Sequence, residues 1–582
     1  MAVIKLAGFQ GELPSLIPRI LPESAAQEAY NVRLDDGGLT PFRMRREVAL
    51  LPQLPLNSTY KTIYKHNENW LGWDKAVSVV PGPVAQDRLY IAGDGVPKLR
   101  YLNVDYPLAV PFPAAALTAA VSGASTSAIG SSRFYVRTFV TALGEESSPS
   151  PASNTVYWEP GQTTTLSGFT LPPAGRLITK ERIYRAQTSY TGTQLFFIAE
   201  RSVTTSDFVD NVPSDKINEP IPSLDWDQPV STLDGIIALP NGVMAAFSGK
   251  TLYFCEPWRP HAWPDKYSLT TDFDIVGLGA FGASVAVLTT GNPYIVNGTH
   301  PSSMVMEKIE LNLPCVSARG IEDLGYAVAY PSNDGLVMVS SSGAQVVTKG
   351  LMTKQAWEKV NPCSIHSGQR DGRYFACYVK TTYGDVAVLE VAIFDTNREQ
   401  PFVVRCDIIP DAMFFDIKTG SLYFCSGSSV FEFDPVGKPN VVMSWKSKEF
   451  IMPKPANFGA ILIEVDGGLT PDDQQAIQDQ IAEDIAYNQT LLTGPSVGDV
   501  NSNTLNEYEL NGDNLIDVQR LNYNLSVFVI ADDEIIATVN KVNRMARLPS
   551  GFLARKWEIM VSGNLNVLEI TMAQTGFELA GV

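Results

Sequence analysis

Four histidines, His66, His261, His300 and His366, are the scarcest chemistry-bearing side chains in this 582-residue chain. Their separations match no ligand spacing and no His-Glu-x-x-His string contains them, so a histidine-held metal is not expected. Six cysteines, at 255, 315, 363, 377, 406 and 425, share one central stretch without a Cys-x-x-Cys pair. Several sit in apolar strand-like text such as Leu252-Tyr253-Phe254-Cys255 and Leu422-Tyr423-Phe424-Cys425. There a free thiol serves as a small hydrophobe, which suits folding in a reducing cytoplasm. No nucleophile elbow and no P-loop occurs. The sequence therefore assigns no catalytic, cofactor-binding or metal-ligating residue, and no cofactor.

Carboxylates are the remaining candidates, because paired acids hydrolyse glycosides and β-rich enzymes host them. Asp227, Asp234, Asp323 and Asp334 lie next to strand-like segments. Aspartates there usually cap turns through their own side chains. Asp472-Asp473 with Glu483-Asp484 lacks the loop spacing of a calcium site. The segment Cys255-Glu256-Pro257-Trp258-Arg259-Pro260-His261-Ala262-Trp263-Pro264 joins three prolines to two tryptophans. It reads as a rigid packing element, with Arg259 free to stack on an indole. A carbohydrate platform is the alternative.

The elements that position these groups are strands. Charged residues are 18% of the chain, below the roughly 25% of ordinary domains, and 44 glycines and 39 prolines supply turns. The net charge of -18 argues against tight binding to a phosphate backbone. It suits a surface past which nucleic acid slides without sticking. No uninterrupted apolar run of about 18 residues occurs, so no membrane-spanning helix is expected.

A polar turn followed by a strand recurs at Asp87–Ile91, Ser248–Phe254, Thr290–Val296, Ser332–Val339, Asp371–Ala376 and Thr419–Phe424. After the first, the spacing is that of four-stranded propeller blades, which bury both faces only by stacking around a ring. The expected fold is all-β: a six-bladed propeller, an inserted immunoglobulin- or fibronectin-like sandwich, and a C-terminal β-domain carrying a helix-loop insertion. Residues 1–110 give an N-terminal segment and the first blade, and 111–222 the sandwich, with the Ala-rich stretch 111–124 as a linker. Residues 223–440 give the remaining blades, and 441–582 the C-terminal platform. Within it, Thr470-Pro471 opens a helix through about Asn488, and a polar loop follows to 516. Loops at 470–516 are candidates for a channel constriction.

Three strings carry a resemblance. They are Leu239-Pro240-Asn241-Gly242-Val243-Met244-Ala245-Ala246-Phe247-Ser248-Gly249 with Glu256–Pro264, the opening Ala29–Pro41, and Trp445–Phe450 with Pro453–Ala460. Their sequence and order resemble the tail nozzle family (tail tubular protein B-like) of short-tailed bacteriophages, over roughly residues 20–100 and 220–582. The resemblance implies a structural virion protein of the tail, assembled in the host cytoplasm as a homohexamer. It implies docking on the head-to-tail adaptor ring, contacts with tail fibres, and a channel through which viral double-stranded DNA leaves. The inserted sandwich departs from the plainest family members. The rival expectation is a carbohydrate-binding or carbohydrate-active propeller of a fibre or baseplate.

Overall fold

The computed structural model describes residues 3–579 apart from 57, 190–191, 218, 382–386, 397–400, 467–481 and 490–523. Six four-strand blades surround one axis. The first spans Ser78–Pro81 to Val104–Pro107, and the second Gly235–Ala238 to Leu269–Thr270. The third runs from Ile275–Phe281 to Val305–Lys308, and the fourth from Glu322–Asp323 to Gly343–Val346. The fifth runs from His366–Arg370 to Phe402–Cys406. Ala412–Asp416, Ser421–Ser426 and Ser429–Glu432 form the sixth, whose outermost strand, Arg46–Leu50, comes from the N-terminal segment. One blade therefore lies upstream and five downstream of the insertion, as expected. The sequence did not expose a further station, the hairpin Thr62–His66 with Asn69–Trp73, seated beside the sixth blade. It leads into the first blade, where the Val77 amide donates to Thr62 Oγ1 at 3.0 Å.

Apolar stacking holds the ring. Val243, Phe247 and Leu252 meet Val285, Val287 and Tyr294 between the second and third blades. Ala286 and Leu288 meet Val328, Tyr330 and Val337 between the third and fourth. Each valine, leucine or phenylalanine among them contributes about 1.5–3 kcal/mol on burial. Close approach of the inner strands needs glycine. A Cβ on Gly277 would lie 2.3 Å from Ile321 Cδ1, and one on Gly368 2.8 Å from Met413 Cβ.

The insertion is a sandwich. Thr118–Ser122, Thr163–Ser167 and Phe208–Asp210 face Tyr135–Thr141, Ile178–Ser189 and Gly192–Ser202, with a ribbon of Ser131–Arg133 and Val156–Trp158. The stretch expected as a linker thus supplies a strand, because Ala119 and its neighbours alternate and pair with Thr163–Ser167. The edge of Tyr135–Thr141 is sealed by a segment that carries serine at every third position. Ser147, Ser150 and Ser153 donate backbone N–H to the carbonyls of Phe139, Arg137 and Tyr135 at 2.8–2.9 Å. Their hydroxyls accept from the same three residues' amides at 2.9, 3.1 and 3.0 Å. Three-residue periodicity with proline is extended polyproline geometry. Here it completes a ladder and removes an open edge.

The platform combines both ends of the chain. Val3–Leu6 pairs with Val567–Ala573, which pairs with Ala460–Val465. Ala26–Tyr30 lies between Met443–Ser447 and the fifth blade's Phe402–Cys406, so blade and platform share a ten-stranded sheet. Trp445, Trp557, Phe9 and Phe458 fill the core beneath. Residues 482–489 are helical. The expected helix start at 470–473 and the loop beyond 489 lie outside the described residues.

Candidate functional site on the propeller axis

Inner strands from all seven stations enclose a cavity of about 280 Å³, reached by Thr62, Ser78, Ile236, Gly277, Glu322, Ser367 and Met413. Toward one face it joins a wider funnel of about 630 Å³, walled by Tyr64, Phe414 and Phe415 and by Asp323, Gln369 and Asp371. Thr62, Val77, Glu322 and Met413 line both.

Glu322 sits where the two spaces meet. The Ser367 hydroxyl donates to its Oε2 at 3.2 Å. Glu322 is half-buried and lines both spaces, and loss of solvent around its carboxyl pushes its pKa up to about 8. Charge on Asp323 adds to the rise, against the Ser367 hydrogen bond. At neutral pH Glu322 is mostly an uncharged acid. His366 is held neutral by the same cause. Burial lowers it to about 4, Arg319 adds repulsion, and Nε2 lies 2.8 Å from the Pro410 carbonyl. Arg319 donates from Nη2 to the Asp411 carbonyl, while its Nε has no partner among the described residues. Nearby Cys377 and Cys425 are pushed up to about 12 by burial, so neither supplies a thiolate at neutral pH.

Two of the four expected turn aspartates reach this axis. Asp323 Oδ1 accepts the Gly325 amide at 2.7 Å in the funnel wall. Asp234 Oδ2 accepts the Gly249 amide at 3.1 Å beside the inner cavity. Asp227 accepts the Asp265 amide, and Asp334 pairs with Lys354 at 2.9 Å, both away from the axis. Glu322 escaped the sequence reading. Nothing in Ile321-Glu322-Asp323 distinguishes an axial acid from a surface one, since strand length and ring closure decide it. Among the described residues no group of three histidine, cysteine or carboxylate side chains could hold a metal.

The tryptophan-proline segment is a seat for the sandwich. Trp258 has φ +61° and covers Gly242, where a Cβ would lie 2.4 Å from the indole. Arg259 stacks 5.5 Å over Trp226, whose ring meets His261 edge-on at 5.6 Å. His261 Nε2 lies 3.0 Å from the backbone carbonyl of Glu146, which belongs to the sandwich. Burial lowers its pKa to about 3. Glu146 itself binds Arg182 at 2.7 Å, Tyr184 at 2.6 Å and Ser223 at 3.2 Å. Glu145 meets Arg88 of the first blade at 3.5 Å. Glu145-Glu146 is thus the joint between sandwich and propeller.

No family model matches this chain, and no curated protein matches it. Among solved structures, the N-terminal domain of Nup159 is similar at 8% identity and a TM-score of 0.24, covering 45% of this chain and 68% of that one. The AfRom2 CNH domain gives 11% identity and a TM-score of 0.19, covering 46% and 94%. Hsv2 of Kluyvelomyces marxianus gives 9% identity and a TM-score of 0.20, covering 49% and 88%. The chain's own strand order is that of an all-β propeller joined to two further β units.

Proposed function

We propose that this chain is a structural virion protein, the subunit of a hexameric nozzle at the distal end of a short bacteriophage tail. The observation that carries the reading is where the family-like strings fall. Leu239–Gly249 and Glu256–Pro264 build the second blade and the sandwich seat. Ala29–Pro41 joins the fifth blade to the platform, and Trp445 lies in the strand paired with it. These are joints between modules, as expected of a subunit that must stay rigid within an assembly.

A duplex cannot use the propeller axis. A water occupies about 30 Å³ in the liquid, so the inner cavity of about 280 Å³ has room for on the order of ten, far too little for one turn of a duplex. The conduit in this reading lies between copies of the chain, arranged by rotational symmetry. An excess of acidic side chains on its wall would keep the phosphate backbone from adhering. The adaptor ring, the fibres and the host cytoplasm as the place of assembly belong to the same proposal. Electron microscopy of the purified full chain, alone and with the adaptor, tests it. A six-fold ring with a through-hole is expected, and a monomer with no ring in either sample would overturn it.

The funnel favours one rival. Tyr64, Phe414 and Phe415 opposite Asp323 and Asp371 offer flat and polar walls of the kind that hold sugars. Saturable binding of a bacterial polysaccharide, lost in Phe415→Ala, would favour that role instead.

A further inference from the structure

We propose that the two-stranded station of the ring is a strand-acceptor site, and that it is filled by the Glu534–Val539 edge strand of a second copy of this chain. This rests on the oligomeric reading above and names the contact that would build the ring.

The acceptor is an incomplete blade. Six stations have four strands, whereas Thr62–His66 and Asn69–Trp73 stand as a pair. At about 4.8 Å per strand, the missing outer half is about 10 Å wide, the width of one hairpin. Asn69–Trp73 pairs only with Thr62–His66 among the described residues, so its outer edge is a row of unpaired backbone groups. Trp70, Leu71 and Trp73 on this strand are only half-buried. Leu56, on the connection entering the station, is 95% exposed.

The donor is the outermost described strand of the ten-stranded sheet. Glu534–Val539 pairs only with Leu525–Ala531 among the described residues, and Ile535 is 62% exposed. Edge strands of this kind invite pairing unless something covers them. Donor and acceptor lie at different places on one chain. Their pairing is therefore head-to-tail, and a repeated head-to-tail contact closes into a ring when the rotation allows. Charge favours the match. The acceptor segment 61–75 carries Lys61, Lys65 and Lys75 against Glu68 and Asp74, a small positive excess, while Asp532, Asp533 and Glu534 open the donor strand. Within one copy Lys65, Lys75 and Asp533 form surface pairs with Glu68, Asp94 and Lys556, weak contacts that a docking strand can exchange.

Hydrogen exchange of the full chain, assembled and diluted to monomer, tests the contact. Amides in 69–73 and 534–539 should exchange at least about tenfold more slowly in the assembly. Ile535→Lys should weaken association at least about tenfold while leaving the melting curve unchanged. A synthetic peptide of residues 532–540 should compete with assembly. If the chain assembles but both segments exchange as fast as in the monomer, the proposed contact is wrong and the oligomeric reading stands. If the chain stays monomeric at every concentration, with or without the adaptor, both fall. The wild-type exchange comparison decides the matter even if the variant misfolds.

Discussion

Between the second and third blades the buried side chains are apolar, with Phe247, Leu252, Val285 and Val287 packed across the gap. Inside the sandwich, Arg137 and Glu181 are wholly buried and paired at 2.8 Å. Arg201 reaches the same carboxylate at 2.8 Å and lies 4.0 Å over Phe169. A second pair, Arg185 with Asp210 at 2.7 Å, takes the Tyr135 hydroxyl as well. Apolar stacking accepts many side-chain combinations of similar volume, so blades can differ in sequence and still nest. A buried ion pair accepts one geometry, since each charge must meet its partner to offset desolvation. The ring thus tolerates variation, whereas the insertion has its register fixed by a few bonds.

The largest expected effect breaks this contrast most directly. Glu181→Leu strands Arg137 in the interior and should cost about 3–5 kcal/mol, read by urea unfolding followed through hydrogen exchange of the sandwich amides. The double variant Arg137→Met with Glu181→Leu should recover most of that loss, and a single-variant cost below about 1 kcal/mol would erase the distinction. In a blade, Leu336→Ala should cost about 2–5 kcal/mol through a cavity, with little dependence on salt.

Glu322 supplies a smaller, pH-dependent effect. Its folded pKa of about 8 lies above that of the unfolded chain, so the folded state binds more protons between about pH 4.5 and 8. Stability should fall as pH rises through that window, by at most about 1.4 kcal/mol per unit. His366, lowered to about 4, contributes the opposite slope below about 6.5, where its unfolded form takes a proton first. Glu12, Glu145 and Asp323, also raised by burial, add slope of the same sign as Glu322. The readout is therefore the difference between the wild type and Glu322→Gln over pH 6.5–8, where the variant should have the flatter profile of denaturation midpoints. Smallest is Ser150→Ala, which removes the acceptor of the Arg137 amide. A loss of about 1 kcal/mol and faster exchange of that amide are expected.

Much of this organisation was legible in the residues. Each recurring turn-and-strand unit falls in a separate blade. It is not the same strand each time: Arg88–Ala92, Arg373–Thr381 and Ser421–Ser426 are second strands, while Thr251–Phe254, Tyr294–Asn297 and Gly335–Ser340 are third. A tight turn before an aromatic strand looks alike at either hairpin, so the pattern counts blades without placing strands. The half-blade escaped notice because Asn67-Glu68 between two short aromatic strands is one hairpin among many. The turn-capping role of Asp323 was readable, since it accepts the amide two residues on, whereas Asp227 and Asp234 accept amides 38 and 15 positions away. Glu322 was not, because the burial that raises its pKa exists only once ring closure brings distant strands, such as that of Ser367 45 positions away, around it.

Alternation, turn residues and buried cysteines already committed the chain to β-structure, to blades and to an inserted unit, because each depends on neighbours within a few residues. Tertiary structure alone decided that Arg46–Leu50 completes the sixth blade, that Ala26–Tyr30 welds the fifth blade to the platform, and that Glu146 seats the sandwich on His261. These pairings join segments distant in sequence. Any exposed edge could have accepted any extended segment of suitable pattern, and only simultaneous closure of the ring and the platform selects among them.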